Sequence, residues 1–482
     1  MNINFDLSQL FFIIPEIFLL TSVVVILILS LFLSKKNQET TYYLSQFTLL
    51  LTSIFLLFLV GSDTQIILND QFIFDNLSNS LKIVVIVFSM MFLLYSRYYL
   101  KVHRFYSNEY FILSLLAIFG TMIMMSGYSL LTIYLGLELL SLSLYTLIAM
   151  AKHRVNAVEA SLKYFVLGAL SSGILLYGMS MLYGITGSLN IIDISQTTQQ
   201  IMTDRELLVL NFGLTFVIIG IAFKLGAVPF HMWIPDVYHG APTAVTMFLS
   251  SIPKISAFVI MVRLVHDALG GLISHWQELL LILSILSIVL GTLVAIVQTN
   301  LKRLLAYSTI SHVGFVLLGF AVGSIDGIAS GLFYVLVYSL VSLSGFGVII
   351  YLNSKGFEAE NISDYNGLAK SHPSLALMML IVILAMAGIP PLIGFYSKFY
   401  IIQQVLNAGF VELAIVAVIF AVIGAYYYLR VIKAMYFETS EREFKIYNVV
   451  DIKLMLIINT LMIVIFSLFP DYWIEFSKSL LS

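Results

Sequence analysis

The chain has 482 residues, of which 60% are hydrophobic and 10% are charged, and its formal net charge is −2. A soluble globular protein of this length could not bury that much apolar surface, so the composition predicts a polytopic membrane protein. The slightly acidic balance argues against nucleic acid as a partner. The absence of cysteine excludes disulfides, thiolate metal sites and cysteine-ligated iron–sulfur clusters in this chain.

Apolar runs recur along the whole chain, and about 20 residues suffice to cross the hydrocarbon core of a bilayer. They predict an all-α polytopic fold of about fourteen transmembrane helices, at residues 10–34, 41–61, 80–99, 110–127, 128–150, 157–185, 206–230, 241–266, 275–298, 302–323, 327–353, 373–406, 411–437 and 452–470. The first residues lack a basic region and a small-residue cleavage site. We therefore expect them to lead into the first span and not to form a removable signal peptide.

Basic residues in the predicted loops alternate between the two sides of the membrane. One side carries Lys35, Lys36, Arg97, Lys101, Arg104, Lys152, Arg154, Lys302, Arg303, Lys355, Lys370, Arg430, Lys433, Arg442, Lys445 and Lys453, whereas the other carries Lys82, Arg205 and Lys478. Cytoplasmic loops of membrane proteins are enriched in Lys and Arg, so the first side is predicted to be cytoplasmic. With an even number of spans, both termini are then expected on the outer, periplasmic side.

Several charged residues fall inside predicted spans, where each costs roughly 2.5–3.5 kcal/mol on insertion scales. They are Glu138, Lys163, Lys224, Lys254, Arg263 and Lys398. A purely structural explanation is an interhelical pair or a long side chain that reaches the interface. We expect this explanation for Arg263, near the outer end of its span, and leave both explanations open for Lys163. The other four are central or lie beside helix breakers and indicate function.

Helix breakers cluster around these lysines. Lys224 is followed by Gly226 and Pro229, and Lys398 is preceded by Pro390 and Pro391. Proline removes a helical hydrogen bond, which a membrane tolerates only where protein or a cavity satisfies the freed groups. Two such spans in matching halves point to a transport site.

The broken seventh and twelfth spans are five apart, which predicts two inverted repeats of five helices, spans 4–8 and 9–13. The match is imperfect, because the proline follows the lysine in the seventh span and precedes it in the twelfth. The predicted organisation is an N-terminal group of three helices at 1–107, a first repeat at 108–270, a second repeat at 271–440 and a C-terminal helix at 441–482. Each repeat is expected to form a proton half-channel.

This set of residues supports proton transfer. Burial disfavours the charged form of a lysine and a nearby carboxylate favours it, so a pair whose separation changes can hold and release a proton. We predict that Glu138 pairs with Lys224, that Lys254 takes the proton onward and that Lys398 is the distal group. Waters and hydroxyl groups would bridge the gaps. Ser308, Ser311 and His312 are candidates for this bridging, although a buried histidine is often only a hydrogen-bonded core residue. His231 either relays protons or satisfies the broken backbone.

The run FKLGAVPFHMWIPDVYHGAPT, with Glu138 upstream, Lys254 downstream and GIPPLIGFYSKFY later, resembles the antiporter-like subunits of respiratory complex I and of multisubunit Na⁺/H⁺ antiporters. The resemblance covers nearly the whole chain. Within this family, a chain that stops after the fourteenth span and carries a lysine at 398 is similar to the smallest of the three antiporter-like subunits of complex I.

The resemblance implies a fold of two inverted five-helix bundles with additional terminal helices. It also implies roles: Glu138 as the essential fifth-helix glutamate, Lys224 as the seventh-helix lysine, Lys254 as the eighth-helix relay and Lys398 as the twelfth-helix lysine. Lys163 would neighbour the Glu–Lys pair. Electrons would pass from NADH through FMN and Fe–S clusters to quinone in partner subunits, with no cofactor in this chain. The expected setting is a hetero-oligomer in a bacterial inner membrane, beside a neighbouring antiporter-like subunit.

Three rival functions follow from the same sequence. A cation/proton antiporter subunit outside any redox complex would use the same motif, but sodium prefers clustered oxygen ligands, and Glu138 is the only central carboxylate among the predicted spans. A solute symporter would need a substrate-sized cavity at an unwound span and has no need for a chain of lysines. A structural membrane anchor does not explain five cations inside spans.

Overall fold

The computed structural model describes residues 7–33, 38–103, 105–200, 203–353, 357–439 and 449–481. The helices in these ranges are α1 (Ile14–Phe32), α2 (Glu39–Phe58), α3 (Asn76–His103), α4 (Asn108–Ser126), α5 (Leu130–Ala149), α6 (Val155–Thr186), α7 (Ile191–Thr198), α8 (Asp204–Leu225), α9 (Trp233–Gly240), α10 (Thr243–Ser250), α11 (Ile252–Met261), α12 (Ile273–Ile296), α13 (Leu301–Ala321), α14 (Ile325–Leu352), α15 (Leu368–Ser371), α16 (Pro373–Ala387), α17 (Ile393–Asn407), α18 (Val411–Phe437), α19 (Val450–Leu468) and α20 (Pro470–Ser479). A short antiparallel hairpin, β1 (Gln65–Ile67) and β2 (Phe72–Phe74), precedes α3.

The predicted all-α membrane fold is confirmed. Within the described ranges, thirteen helical segments are long and apolar enough to cross a membrane. The predicted twelfth span is divided into α16 and α17, each too short to be counted among them. Six of the basic residues used for orientation lie outside the described residues: Lys35, Lys36, Arg104, Lys355, Arg442 and Lys445.

Three interruptions divide spans that the hydropathy pattern shows as continuous. The first, between α8 and α9, contains Gly226 and Pro229, and the second, between α16 and α17, contains Gly388, Pro390 and Pro391. Both were predicted from the breakers. The third lies between α10 and α11, where Ser251 leaves the helical conformation. The sequence interpretation treated that span as whole.

Two loop contacts in the two halves of the chain have the same form. Ser129 pairs with Asn190 in an isolated antiparallel β-bridge, and Asn300 pairs with Asn361 in another. The partners of each bridge are separated by the same number of positions, 61. In both cases the first partner is the residue that caps a transmembrane helix, α5 in one half and α13 in the other.

A close pair of helices flanks the first residue of each bridge. α4 packs against α5, and α12 packs against α13. Both pairs meet through glycine: a Cβ atom on Gly120 would lie 2.7 Å from the amide nitrogen of Leu140, and one on Gly314 would lie 2.7 Å from that of Ile288. Only glycine therefore allows the backbones of these helices to touch.

The centre of the molecule is formed by α10, α11, α13 and α14. In the most apolar stretch of Thr243–Ala268 every residue is buried by neighbouring helices, whereas α1, α6, α12 and α18 expose a large part of their apolar surface. The exposed apolar faces belong against lipid or other membrane proteins. The buried helices are the ones that carry or surround the intramembrane lysines.

Candidate functional site

The first helix break forms because glycine ends α8 in a left-handed conformation. Gly226 has φ +85°, and its amide donates to the carbonyl of Ala222 at 2.7 Å. A Cβ atom at this position would overlap the side chain of Ile234, so the turn depends on glycine. The last carbonyl groups of α8 are left without helical partners and mark the negative end of the helix dipole.

Lys254 occupies this helix end. Its ammonium group donates to the carbonyl of Leu225 at 2.5 Å and to that of Lys224 at 3.4 Å, and it lies 5.3 Å from the ring centre of Trp233. The lysine is 1% exposed. Pro253 stands in the first turn of α11, where proline costs no helical hydrogen bond, so it starts the helix that carries Lys254.

Lys224 is also buried, but its hydrogen-bond partner differs from the prediction. Its ammonium group donates to the hydroxyl of Ser141 at 2.6 Å. Glu138 lies three residues earlier on α5 and is half-buried, and its Oε1 atom has no hydrogen-bond partner among the residues described. Glu138 is close enough to Lys224 for their charges to interact, but the hydrogen bond from Lys224 goes to Ser141 in this conformation.

The second helix break repeats the geometry of the first. Gly388 ends α16 with φ +75°, and the ammonium group of Lys398, on α17, donates to the carbonyl of Ala387 at 2.9 Å. It also lies 5.5 Å from the ring centre of Phe315. A lysine thus meets the carbonyl end of the first half-helix at both breaks, although Lys254 comes from the adjacent span and Lys398 from the second half of the same broken span. This correspondence relates Lys398 to Lys254, whereas the sequence interpretation had matched it with Lys224.

His312 lies in the centre of a buried group of hydroxyls. Its Nδ1 atom is 2.7 Å from the hydroxyl of Tyr334, and its Nε2 atom is 2.9 Å from that of Tyr428. Tyr428 also hydrogen-bonds Ser308, as the proposed bridging role of this serine requires. Ser311 instead faces α12, where its hydroxyl is 2.9 Å from that of Thr292.

Sequence reasoning missed the residues that complete these contacts. Ser141 is one helical turn from Glu138, so its i, i+3 spacing was a usable signal. Tyr334 and Tyr428 were indistinguishable from other aromatic residues in a chain with 27 tyrosines. Only the packing of α14 against α13, and of α18 against α12 and α16, brings their hydroxyl groups to His312.

Lys163 and His231 lie away from these contacts. Lys163 forms ion pairs with Asp236 at 2.7 Å and Glu159 at 2.8 Å and is 42% exposed, so it is not a partner of Glu138. Asp236 also accepts from Arg303 at 3.1 Å. His231 is buried within the first break, and its Nδ1 atom has no partner in the described part of the chain.

Two further buried charges were misplaced by the sequence interpretation. Lys82, assigned to an outer loop, is fully buried on α3 and forms an ion pair with Glu16 of α1. Arg263, expected to reach the interface, is buried and pairs with Asp75 at 2.6 Å and Asp267 at 3.2 Å. Glu16 is thus a second buried carboxylate on a membrane-spanning helix, but it lies in the first turn of α1, whereas Glu138 is central in its span. Both pairs connect the N-terminal helices and hairpin to their neighbours.

The arrangement supports holding and moving protons. The ammonium groups of Lys224, Lys254 and Lys398 are satisfied by carbonyl or hydroxyl oxygens. The hydroxyl groups around His312 can both donate and accept. Among the residues described, no group of three or more histidine and acidic side chains could hold a metal ion. The chemistry available at these positions is that of titratable nitrogen and oxygen atoms.

Comparison with known proteins matches this geometry to one family. The sequence profile described as "NADH:quinone oxidoreductase/Mrp antiporter, TM" matches residues 127–424. A protein from Ruthia magnifica, NADH-quinone oxidoreductase subunit N, is 54% identical over 479 residues, which are 99% of each chain. The chain belongs to the NADH-quinone oxidoreductase subunit N family. A second subunit N, from Thioalkalivibrio sulfidiphilus, is 48% identical over 99% of this chain and 100% of its own.

A solved structure shows the same fold. A chain of respiratory complex I from Thermus thermophilus superposes with a TM-score of 0.82 and 27% identity, covering 96% of this chain and 98% of that chain. The resemblance to the antiporter-like subunits is thereby confirmed, including the expectation that this chain corresponds to the smallest of the three, subunit N. An antiporter subunit outside a redox complex is not favoured, because the closely similar full-length relatives described above carry the subunit N name.

Proposed function

We propose that this chain carries protons across a bacterial inner membrane as subunit N of a proton-translocating NADH:quinone oxidoreductase. The proposal depends on one observation: the ammonium groups of Lys254 and Lys398 donate hydrogen bonds to carbonyl oxygens at the ends of two interrupted helices. Proton-carrying groups at broken helices inside a membrane are typical of transport sites. Partner subunits would hold FMN, the Fe–S clusters and the quinone site.

We also propose that the chain contains two inverted repeats, an arrangement that fits this function. The bridges Ser129–Asn190 and Asn300–Asn361 have the same spacing, and the helix pairs beside them meet through glycine in the same way. The first bridge begins between spans 4 and 5 and the second between spans 9 and 10, so they occupy equivalent positions in the two repeats. Because these positions are five spans apart, which is an odd number, the two bridges would lie on opposite faces of the membrane. We assign spans 4–8 and 9–13 to these repeats, with a half-channel in each.

The row of titratable groups defines the proposed route. The charge of Glu138 attracts a proton to Lys224, whose ammonium group donates to Ser141, and displacement of Glu138 weakens that attraction so that the proton passes toward Lys254. The backbone carbonyl of Lys224 and the ammonium group of Lys254 are 3.4 Å apart, so the two lysines are neighbours. His312, with its tyrosine hydroxyls, connects the centre to Lys398 at the second break. We also include His231 and Lys163 in the proposed route, at its edge.

We propose the membrane orientation from the basic loops. Arg97, Lys101, Lys152, Arg154 and Lys370 all lie at helix ends or loops on one side. We place this side in the cytoplasm and both termini in the periplasm. The exposed apolar faces of the outer helices then contact lipid and the other membrane subunits, including a neighbouring antiporter-like subunit.

The decisive experiment uses the assembled enzyme in inverted membrane vesicles and compares Glu138→Gln and Lys224→Met with wild type. The control is Lys433→Gln, which removes a lysine that is 68% exposed. We expect both test variants to lower NADH-driven proton uptake by about tenfold or more, since a positioned acid–base group contributes at least that much, and the control to pump normally. Wild-type uptake by both test variants in fully assembled enzyme would overturn the proposal. Uptake that depends on Na⁺ would point to cation exchange instead.

A further inference from the structure

A second group of titratable residues lies apart from the row of lysines, at the side with the basic loops. We name it the intake cluster, and it consists of Arg154, His239, Lys302, Glu358 and Glu360. Arg154, His239 and both glutamates line a cavity of about 410 Å³ at the starts of α6 and α13 and the end of α9. The route proposed above does not use these residues.

The two glutamates of the intake cluster have different partners. Glu358 forms an ion pair with Arg154 and accepts a hydrogen bond from the hydroxyl of Tyr99 at 2.9 Å. The Nδ1 atom of His103 lies 3.7 Å from it, and the Nε2 atom of this largely buried imidazole has no partner among the described residues. These contacts hold Glu358 as a carboxylate.

The cations beside Glu360 are farther from its carboxylate than Arg154 is from that of Glu358. Its carboxylate oxygens lie 3.3 Å from the ammonium group of Lys302 and 3.8 Å from Nε2 of His239. Lys302 is 1% exposed and also donates to the carbonyl of Ala241 at 2.9 Å, at the junction of α9 and α10. The groups that face Glu360 are therefore Glu358, Lys302, His239, the more distant Arg154 and the buried Tyr365.

These surroundings move the pKa values of the two carboxyl groups in opposite directions. Burial alone would raise the pKa of Glu358, but Lys302 and Arg154 hold it at about 2. Burial raises the pKa of Glu360 above its usual value, and the charge of Glu358 raises it further despite the presence of Lys302. Two neighbouring carboxylates that share one site avoid a double negative charge in this way.

We propose that Glu360 is the group that takes up protons from the aqueous phase on this side of the membrane and passes them to His239. A proton from solvent in the cavity binds a carboxylate oxygen of Glu360. It then moves to Nε2 of His239, an imidazole that also faces Lys302, Arg303 and Asp236. The carboxylate left behind is stabilised by the ammonium group of Lys302. Glu358 stays ionised throughout and fixes the electrostatic setting, so it is a positioning residue.

The fold connects this site to the buried lysines through one short helix. His239 lies near the end of α9, and Trp233, whose ring faces the ammonium group of Lys254, lies at its start. Six residues of helix span about 9 Å. A proton taken up at Glu360 therefore enters the element that forms the second half of the first broken span.

This inference rests on the proposed function, and its test is chosen so that the two fail separately. NADH-driven proton uptake is measured as a function of pH in inverted vesicles, which expose the cytoplasmic side. The variants are Glu360→Gln, Glu360→Asp and His239→Gln, with Glu438→Gln as a control because Glu438 pairs only with exposed Lys433 among the described residues. Lys224→Met is measured in the same series.

We expect Glu360→Gln and His239→Gln to lower uptake by about tenfold and to change its pH profile, and Glu360→Asp to restore most of it. If Lys224→Met abolishes uptake but Glu360→Gln matches Glu438→Gln at every pH, the intake role is wrong and the proposed function stands. If Glu360→Gln depletes the assembled enzyme and Glu360→Asp does not restore uptake, the role is structural and the inference is also wrong. If Lys224→Met pumps normally, the failure belongs to the proposed function.

Discussion

Replacing Gly388 by alanine tests whether the hydrogen bond from Lys398 to the carbonyl of Ala387 matters for transport. Gly388 has φ +75°, which a residue with a Cβ atom adopts only at a cost. A Cβ atom there would lie 2.9 Å from Cδ and 3.1 Å from Nζ of Lys398. The flexible lysine can move away, so the alanine side chain displaces the ammonium group from the carbonyl of Ala387.

The magnitude follows from two separate terms. The left-handed backbone costs roughly 1–2 kcal/mol for any residue with a Cβ atom. Losing a hydrogen bond from a charged donor costs about 1.5–3 kcal/mol, which lowers the population with Lys398 in place by about tenfold to a hundredfold. Gly409 provides the control for the backbone cost, because it has φ +86° but a Cβ atom there would meet nothing within 4 Å. The difference between the two alanine variants therefore reports the lost hydrogen bond.

The assay compares Gly388→Ala with Gly409→Ala in inverted vesicles. The amount of assembled enzyme, the rate of NADH:quinone electron transfer and the rate of proton uptake are measured together. We expect similar assembly for the two variants, and uptake per electron lower by about tenfold for Gly388→Ala alone. Equal uptake by both variants would show that the contact between Lys398 and the helix end has no part in transport.

Three further predictions concern hydrogen bonds and ion pairs. Tyr428→Phe should lower proton uptake several-fold because it removes the hydroxyl that His312 contacts. The control is Tyr110→Phe, which should leave uptake unchanged, since Tyr110 is a buried tyrosine that hydrogen-bonds a serine in the N-terminal helices. Native gels verify that both variants assemble. Ser141→Ala should lower uptake by about tenfold, since it removes the hydroxyl that accepts from a buried ammonium group; uptake equal to wild type would contradict this. Glu358→Gln should destabilise the protein by about 3 kcal/mol, and Glu438→Gln by far less, as thermal unfolding will show. Because neighbouring cations depress the pKa of Glu358 from 4.5 to about 2 against the effect of burial, this contribution is present above about pH 4.5 and is lost as the pH falls toward 2.

The elements that depend on local sequence were predictable. Apolar length identified the spans, and Gly226, Pro229, Pro390 and Pro391 marked two interruptions that the structure contains. The reason is that span length and helix termination are set by a few consecutive residues. The third interruption, at Ser251, carries no comparable local signal apart from Pro253, which also starts helices in ordinary positions.

The partners of the buried charges were decided by tertiary packing. The sequence predicted that Glu138 pairs with Lys224, but it did not identify Ser141, which accepts the hydrogen bond from Lys224. The sequence interpretation placed Lys82 in a loop, yet this lysine is buried in a span, where it pairs with Glu16, 66 positions earlier. An ion pair between distant segments depends on how helices pack and rotate, which hydropathy does not record.

By itself, the sequence determined that this protein is a bundle of membrane helices with titratable lysines beside two breaks, because hydrophobic length, charge and proline act over short distances. Only the tertiary structure decided that Lys254 and Lys398 end on the free carbonyl groups of interrupted helices and that tyrosines surround His312. Those contacts join residues from different helices. A buried ammonium group must find oxygen atoms wherever the packed fold supplies them.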